Sequence, residues 1–151
     1  MGDTQLQKDV VDYISKAKLA ILATVKDGAV PALRTIGSFA NDGLDVYFST
    51  GRETAKVKQI EKNWNVAVYF QHDGQERPKF RYISVTGTAK HLTDDAAIKQ
   101  AVDTISNRNP SFKQRIEKGE LSKLSLFKVE AKSVKDLDFG RAPNAIVTFD
   151  I

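Results

Sequence analysis

Residues 46–66, VYFSTGRETAKVKQIEKNWNV, hold the side chains of this chain best suited to chemistry, and that chemistry is the binding of an anion. A strand ends in Phe48-Ser49-Thr50, a turn containing Gly51 follows, and a helix opens with Thr54 and Lys56 in its first turn. The first turn of a helix carries N–H groups without intrahelical partners and the positive end of the peptide dipoles, so a phosphate there meets oriented donors. Thr54 adds a hydroxyl donor and Lys56 a point charge. Arg34, on the neighbouring predicted strand, can close the clamp with a bidentate guanidinium. The plainer alternative makes Thr54 a helix cap and Lys56 a solvated lysine, and on these residues alone it is the favoured one.

Other chemistries find little support. The chain has no cysteine, which excludes a disulfide scaffold, a thiol nucleophile, an iron–sulfur cluster and a thiolate zinc site. There is no G-x-x-x-x-G-K-[ST] loop, no G-x-G-x-x-G and no G-x-S-x-G elbow. The two histidines, His72 and His91, are too far apart to share a helix face, and each is expected in a solvated loop or strand end. Asp94-Asp95 reads as a helix start rather than a glycosidase pair. Redox chemistry would have to come from a bound cofactor.

These residues need a frame. The 151 residues fit one domain, residues 1–151, able to bury a core unaided. With 41% hydrophobic and 28% charged residues, the composition is that of a folded globular chain rather than a disordered one. A net charge of +4 suits a small anion. The densest basic group, Arg77, Lys79 and Arg81 with Phe80 and Tyr82 between, reads as a solvated hairpin end, too short for a nucleic-acid groove. The polar N-terminus is not a signal peptide, and no apolar run is long enough to span a bilayer, so the expected location is the cytoplasm.

Apolar spacing predicts a helix over 4–18, capped by Asp3 or Thr4, then strands over 19–26 and 29–39 joined by the turn at Asp27-Gly28. Further strands are expected over 44–49, 65–71 and 80–91, with a short helix over 53–63. A helix opens at Thr93-Asp94-Asp95, and another at Asn109-Pro110. Residues 124–131 and 133–138 read as two paired strands, and 145–151 as a last one. Many antiparallel strands with few helices point to a barrel, and a parallel dinucleotide fold is disfavoured.

The ordered set Ala23-Thr24, Asp27-Gly28, Pro31, Arg34, Tyr47-Phe48-Ser49-Thr50, Thr54-x-Lys56, Gln59-Ile60 and Asn63, followed by Val85-Thr86-Gly87-Thr88-Ala89, resembles the flavin-binding core of the pyridoxamine 5'-phosphate oxidase-like family, in particular its general-stress-protein branch. The resemblance spans residues 19–92 well and the remainder loosely. It implies a mainly β fold with flanking helices, a split β-barrel of FMN-binding type that forms a homodimer with FMN at the interface. It implies that Arg34 and Lys56 hold the FMN phosphate with Thr54 in support. Arg34, Thr35, Ile36 and Gly37 would run beside the flavin ring, and Ser49 and Thr50 would meet the ribityl chain or ring.

Three positions depart from the oxidases proper. Thr54-Ala55-Lys56 stands where they often have Ser-Arg-Lys, and Tyr82 takes the place of a flavin-contacting glutamine. The C-terminal Arg-x-His that grips pyridoxal phosphate is absent, so oxidation of vitamin B6 phosphates is not expected. The reading is therefore an FMN-dependent oxidoreductase of unassigned substrate. The alternatives are a non-enzymatic flavin-binding or stress-response module, or a split barrel that uses haem or a deazaflavin. Trp64, where the family often has proline, is expected as a buried or dimer-packing aromatic.

Overall fold

The computed structural model describes residues 4–151. The cap expected of Asp3 or of the Thr4 side chain lies outside what is described. Helix α1 (Thr4–Lys16) buries Val10, Tyr13 and Ile14 along one stripe, with Ala17 just beyond its end. β1 (Ala20–Lys26) and β2 (Val30–Ile36) form the expected hairpin. Asp27 and Gly28 both take left-handed backbone, φ 48° and 85°, as the turn requires.

The return stretch is not one strand. It breaks at Gly37-Ser38, and β3 (Phe39–Asp42) begins a separate pairing with β4 (Asp45–Gly51). The reason is topological. The sheet runs β2-β1-β5-β6-β7-β4-β3, so β2 and β3 are its opposite edges and the chain must leave one for the other. The remaining elements are α2 (Ala55–Lys62), β5 (Asn65–Gln71), β6 (Arg81–His91), α3 (Asp95–Arg108), α4 (Pro110–Glu117), β7 (Leu124–Asp138) and β8 (Ile146–Asp150). Asp94 caps α3 by accepting from the Ala97 N–H at 3.0 Å, and Pro110 opens α4.

The two paired strands expected over 124–138 are a single strand, β7. Opposite it, Thr86 pairs with Ser133 and Gly87 with Ala131, so Lys132 is an extra residue, a β-bulge. The bulge shifts the in–out alternation between Ala131 and Val134, and this shift is what reads as a strand break in the sequence. Gly87 is required there, because a Cβ would lie 2.0 Å from the Glu130 carbonyl oxygen.

Inward residues of β1, β3, β4, β5, β6 and β7 meet in one core with α1. Phe39 on one edge strand reaches Phe70 on β5 at 5.7 Å between ring centroids, so the sheet is rolled around its interior as a mainly β split barrel with flanking helices. α3 and α4 cover a second, smaller core over Ala40, Tyr47 and Leu126. The outward residues of β2, β1, β5 and β6 stay uncovered: Leu33 is 71% exposed, and Tyr69 and Tyr82 are half-buried against each other.

The basic cluster at 77–81 is not simply a solvated hairpin end. Arg81 makes two bonds, of 3.0 and 2.8 Å, to the carboxylate of Asp136, which is 0% exposed. Arg141 adds a third bond at 3.1 Å and also reaches the Asp136, Asn144 and Ala145 carbonyls, tying the C-terminal hairpin to β7. His72 is likewise no solvated ring. It stacks on Tyr13 at 3.7 Å, and its Nε2 lies 2.8 Å from the Tyr13 carbonyl oxygen. Trp64 is not buried in the chain, since it is 62% exposed.

Candidate functional site

The site forms where the ends of β1, β2 and β4 meet α2. On β1 the inward positions are Ala20, Leu22 and Thr24. Arg34 on β2 stands opposite Leu22, and Ala32 stands opposite Thr24. The diagonal neighbour of Arg34 is therefore Thr24, within reach of a long side chain. Arg34 Nη1 donates to Thr24 Oγ1 at 2.6 Å, Thr24 Oγ1 donates to Gln59 Oε1 at 2.6 Å, and Arg34 Nη2 donates to the same Gln59 oxygen at 2.9 Å. The three side chains close a ring. It uses two of the five guanidinium N–H donors and leaves three.

The second half of the site has a direction that follows from proton counting. Lys56 Nζ donates to Thr50 Oγ1 at 2.6 Å. Thr50 and Thr54 hydroxyls lie 3.2 Å apart, and Thr54 Oγ1 donates to the Gly51 carbonyl at 3.0 Å. A hydroxyl carries one proton, so Thr50 is the donor to Thr54. The chain runs Lys56 to Thr50 to Thr54 to Gly51.

Thr54 holds the N-cap position of α2, but its hydroxyl accepts from no first-turn N–H; the oxygen accepts from Thr50 and its proton goes back to the Gly51 carbonyl. The first turn of α2 carries no acidic residue. The expectation of Thr54 as a plain cap is thus corrected, and the first-turn N–H groups are left to another acceptor.

The electrostatics agree. Burial lowers the basicity of the Arg34 guanidinium. Burial, and then the charge of Arg34, hold the Lys56 ammonium below the usual lysine value. Among the described residues neither cation is in an ion pair; their partners are hydroxyls and an amide oxygen. Two half-buried cations side by side without a carboxylate fit a phosphate, which supplies the missing charge and accepts the remaining donors.

The other sequence-derived candidates fall around this cluster in different ways. Thr50 and Ser49 are buried on β4. Thr35 and Gly37 are exposed on the edge, whereas the Ile36 side chain is buried in the core, so only its backbone faces outward chemistry. Tyr82 lies on the outer face of the sheet, with Tyr69 at 4.9 Å, Phe80 at 6.4 Å and Lys135 Nζ 5.8 Å from its ring centroid. Within one chain it does not join the Arg34–Lys56 cluster. The sequence reading gave no role to Thr24 and Gln59, which hold Arg34. Both were visible only as members of a pattern, since their pairing joins β1 to α2.

A cleft of about 660 Å³ lies on another flank of α2, lined by Arg52, Val57, Glu61, His91 and apolar residues of the second core. It shares Glu61 and His91 with a smaller one beside Trp64. The His91 ring stacks on Phe127 at 4.7 Å.

Comparison with known proteins agrees with this architecture. The family model for pyridoxamine 5'-phosphate oxidase matches residues 6–138. General stress protein 26 of Bacillus subtilis (strain 168) is 32% identical over 102 residues, 68% of this chain and 70% of that protein. A solved protein from Clostridium acetobutylicum, described as related to general stress protein 26 and of the pyridoxinephosphate oxidase family, superposes with a TM-score of 0.72 at 19% identity, over 99% of this chain and 97% of that one. A heme binding protein from Mycobacterium smegmatis has the same fold, with a TM-score of 0.80 at 10% identity, over 99% of this chain and 60% of that chain. Fold, matched span and relative agree: the chain belongs to the pyridoxamine 5'-phosphate oxidase family.

Proposed function

We propose that the chain acts as one FMN-binding domain and serves as an FMN-dependent oxidoreductase of unassigned substrate. The observation that carries this reading is the pair of unneutralised cations, Arg34 and Lys56, at the uncapped start of α2. The FMN phosphate ends a flexible ribityl chain and carries close to two negative charges at neutral pH. Arg34 and Lys56 would hold it together with the first-turn N–H groups of α2. The backbone of Arg34, Thr35, Ile36 and Gly37 would flank the ring, and Ser49 and Thr50 would line the approach. FMN supplies hydride and electron transfer; the chain binds and orients it.

The uncovered outer face of β2, β1, β5 and β6 supports a homodimer, with exposed Leu33 and half-buried Tyr69 and Tyr82 as its contact surface. A second copy packed there is the means of bringing Tyr82 toward a flavin. Vitamin B6 phosphates are not the expected substrates in this reading, because Phe139-Gly140-Arg141-Ala142-Pro143-Asn144 diverges from the oxidases' substrate signature.

The test is a titration of the purified protein with FMN and riboflavin, followed by flavin fluorescence. Preference for FMN by tenfold or more is expected, since each charged hydrogen bond to the phosphate contributes about 1.5–3 kcal/mol. Equal affinity for the two would show that Arg34 and Lys56 do not hold the phosphate. Reduction of bound FMN by a nicotinamide nucleotide separates the enzyme from a non-enzymatic flavin module. The haem reading has one observation in its favour: among the described residues the His91 ring makes no hydrogen bond and borders a cleft. A haem absorption band that is lost in His91→Ala would favour that reading.

A further inference from the structure

We infer that Gln59 is a positioning residue that sets the charge the site selects, by holding Arg34 without neutralising it. The inference rests on the anion clamp proposed above and adds a residue that acts through Arg34. Gln59 Oε1 accepts both the Thr24 hydroxyl at 2.6 Å and Arg34 Nη2 at 2.9 Å. That is the geometry a carboxylate would also offer a guanidinium, and a carboxylate there would form a bidentate-capable ion pair. The amide oxygen fixes the guanidinium in the same place while leaving its full charge for a ligand.

The consequence follows from charge counting. With glutamine at 59, the site presents two positive charges, Arg34 and Lys56, and favours a phosphate monoester carrying close to two negative charges. With glutamate, the site would present a net single charge, and Arg34 would already be paired. A carboxylate or phosphodiester monoanion would then compete on nearly equal terms with the monoester. Gln59 thus acts through Arg34 on ligand selection, and Thr24 closes the ring that keeps both in register.

Two substitutions separate this role from a merely structural one. Gln59→Glu keeps the shape and the acceptor oxygen at that place but adds a charge. Gln59→Met removes the acceptor and leaves the charge of Arg34 intact. If Gln59 tunes charge, Gln59→Glu weakens FMN binding by roughly tenfold to a hundredfold, Gln59→Met by less, and neither changes riboflavin binding. If the residue only supports structure, the order reverses, with Gln59→Glu tolerated and Gln59→Met damaging both ligands.

The experiment measures FMN and riboflavin affinity by fluorescence quenching for wild type and both variants. It also measures the rise in melting temperature that inorganic phosphate gives each protein. Expected is a phosphate-induced rise in wild type that is lost in Gln59→Glu. A wild type that prefers FMN together with a Gln59→Glu variant that binds it equally well overturns the role of Gln59 and leaves the clamp standing. A wild type that ignores FMN yet is stabilised by phosphate, with that effect lost in Gln59→Glu, overturns the FMN reading and supports the role of Gln59. No phosphate effect and no FMN preference in wild type overturns both.

Discussion

Lys56 donates to the hydroxyl of Thr50 at 2.6 Å, and among the described residues no carboxylate neutralises it. Thr50 passes its own proton to Thr54, and Thr54 passes its proton to Gly51. The ammonium is therefore tethered by a neutral relay at the start of α2, with two of its three donors still available. A lysine that served only to decorate a helix would extend into water; this one is half-buried beside a second cation.

The first prediction is a pH dependence. Burial, then Arg34, lower the Lys56 value below that of an ordinary lysine. A bound phosphate favours the charged ammonium and raises the value again. FMN affinity should be full below the lowered value, fall as pH rises through it, and level off once Lys56 is neutral in the complex too. Stability of the free protein carries the opposite sign: the cost of the buried charge is present below the lowered value and is relieved between it and the ordinary lysine value. Titrations of FMN binding at rising alkaline pH check this. Lys56→Met should abolish the alkaline fall in affinity, and an unchanged fall in that variant would assign it to another group.

The second prediction concerns the bulge. At Gly87 an added Cβ would lie 2.0 Å from the Glu130 carbonyl oxygen and 3.2 Å from the Ala131 Cα, and backbone cannot swing away as a side chain can. Gly87→Ala should cost about 2 kcal/mol or more and lower the melting temperature by roughly 4–8 °C. A melting temperature equal to wild type would show that β6 and β7 are farther apart there.

The third prediction concerns Asp136. Its carboxylate is fully buried and serves Arg81 and Arg141. Removing it in Asp136→Ala leaves Arg81 with only the 3.9 Å contact to Asp138 and Arg141 with backbone carbonyls, and should cost about 3 kcal/mol. Arg141→Ala, which leaves the Arg81–Asp136 pair in place, should cost less. Urea unfolding midpoints of the two variants give the comparison, and equal midpoints would contradict this ranking.

The cluster of side chains was legible because its parts lie in one strand–turn–helix run: Thr50, Thr54 and Lys56 fall within seven positions, and local spacing alone sets them at a helix start. Arg34 needed the hairpin at Asp27-Gly28 to be recognised first, which strong turn residues allowed. Thr24 and Gln59 escaped assignment because a neutral hydroxyl and an amide show no function until the fold brings β1 against α2. β7 was misread because a bulge at Lys132 and a true turn disturb alternation in the same way. The alternation Val134, Asp136 did hold a signal: it put a carboxylate on the inward face, where only a buried ion pair could explain it.

In the proposed site Arg34 and Lys56 hold one phosphate together. A double-mutant cycle tests it most directly, with FMN and riboflavin affinities measured for wild type, Arg34→Ala, Lys56→Ala and the double variant. Each single change should weaken FMN binding roughly tenfold to a hundredfold, the two effects should not add, and riboflavin affinity should stay the same in all four proteins. Unchanged FMN affinity in both single variants, or an equal loss of riboflavin, would contradict it.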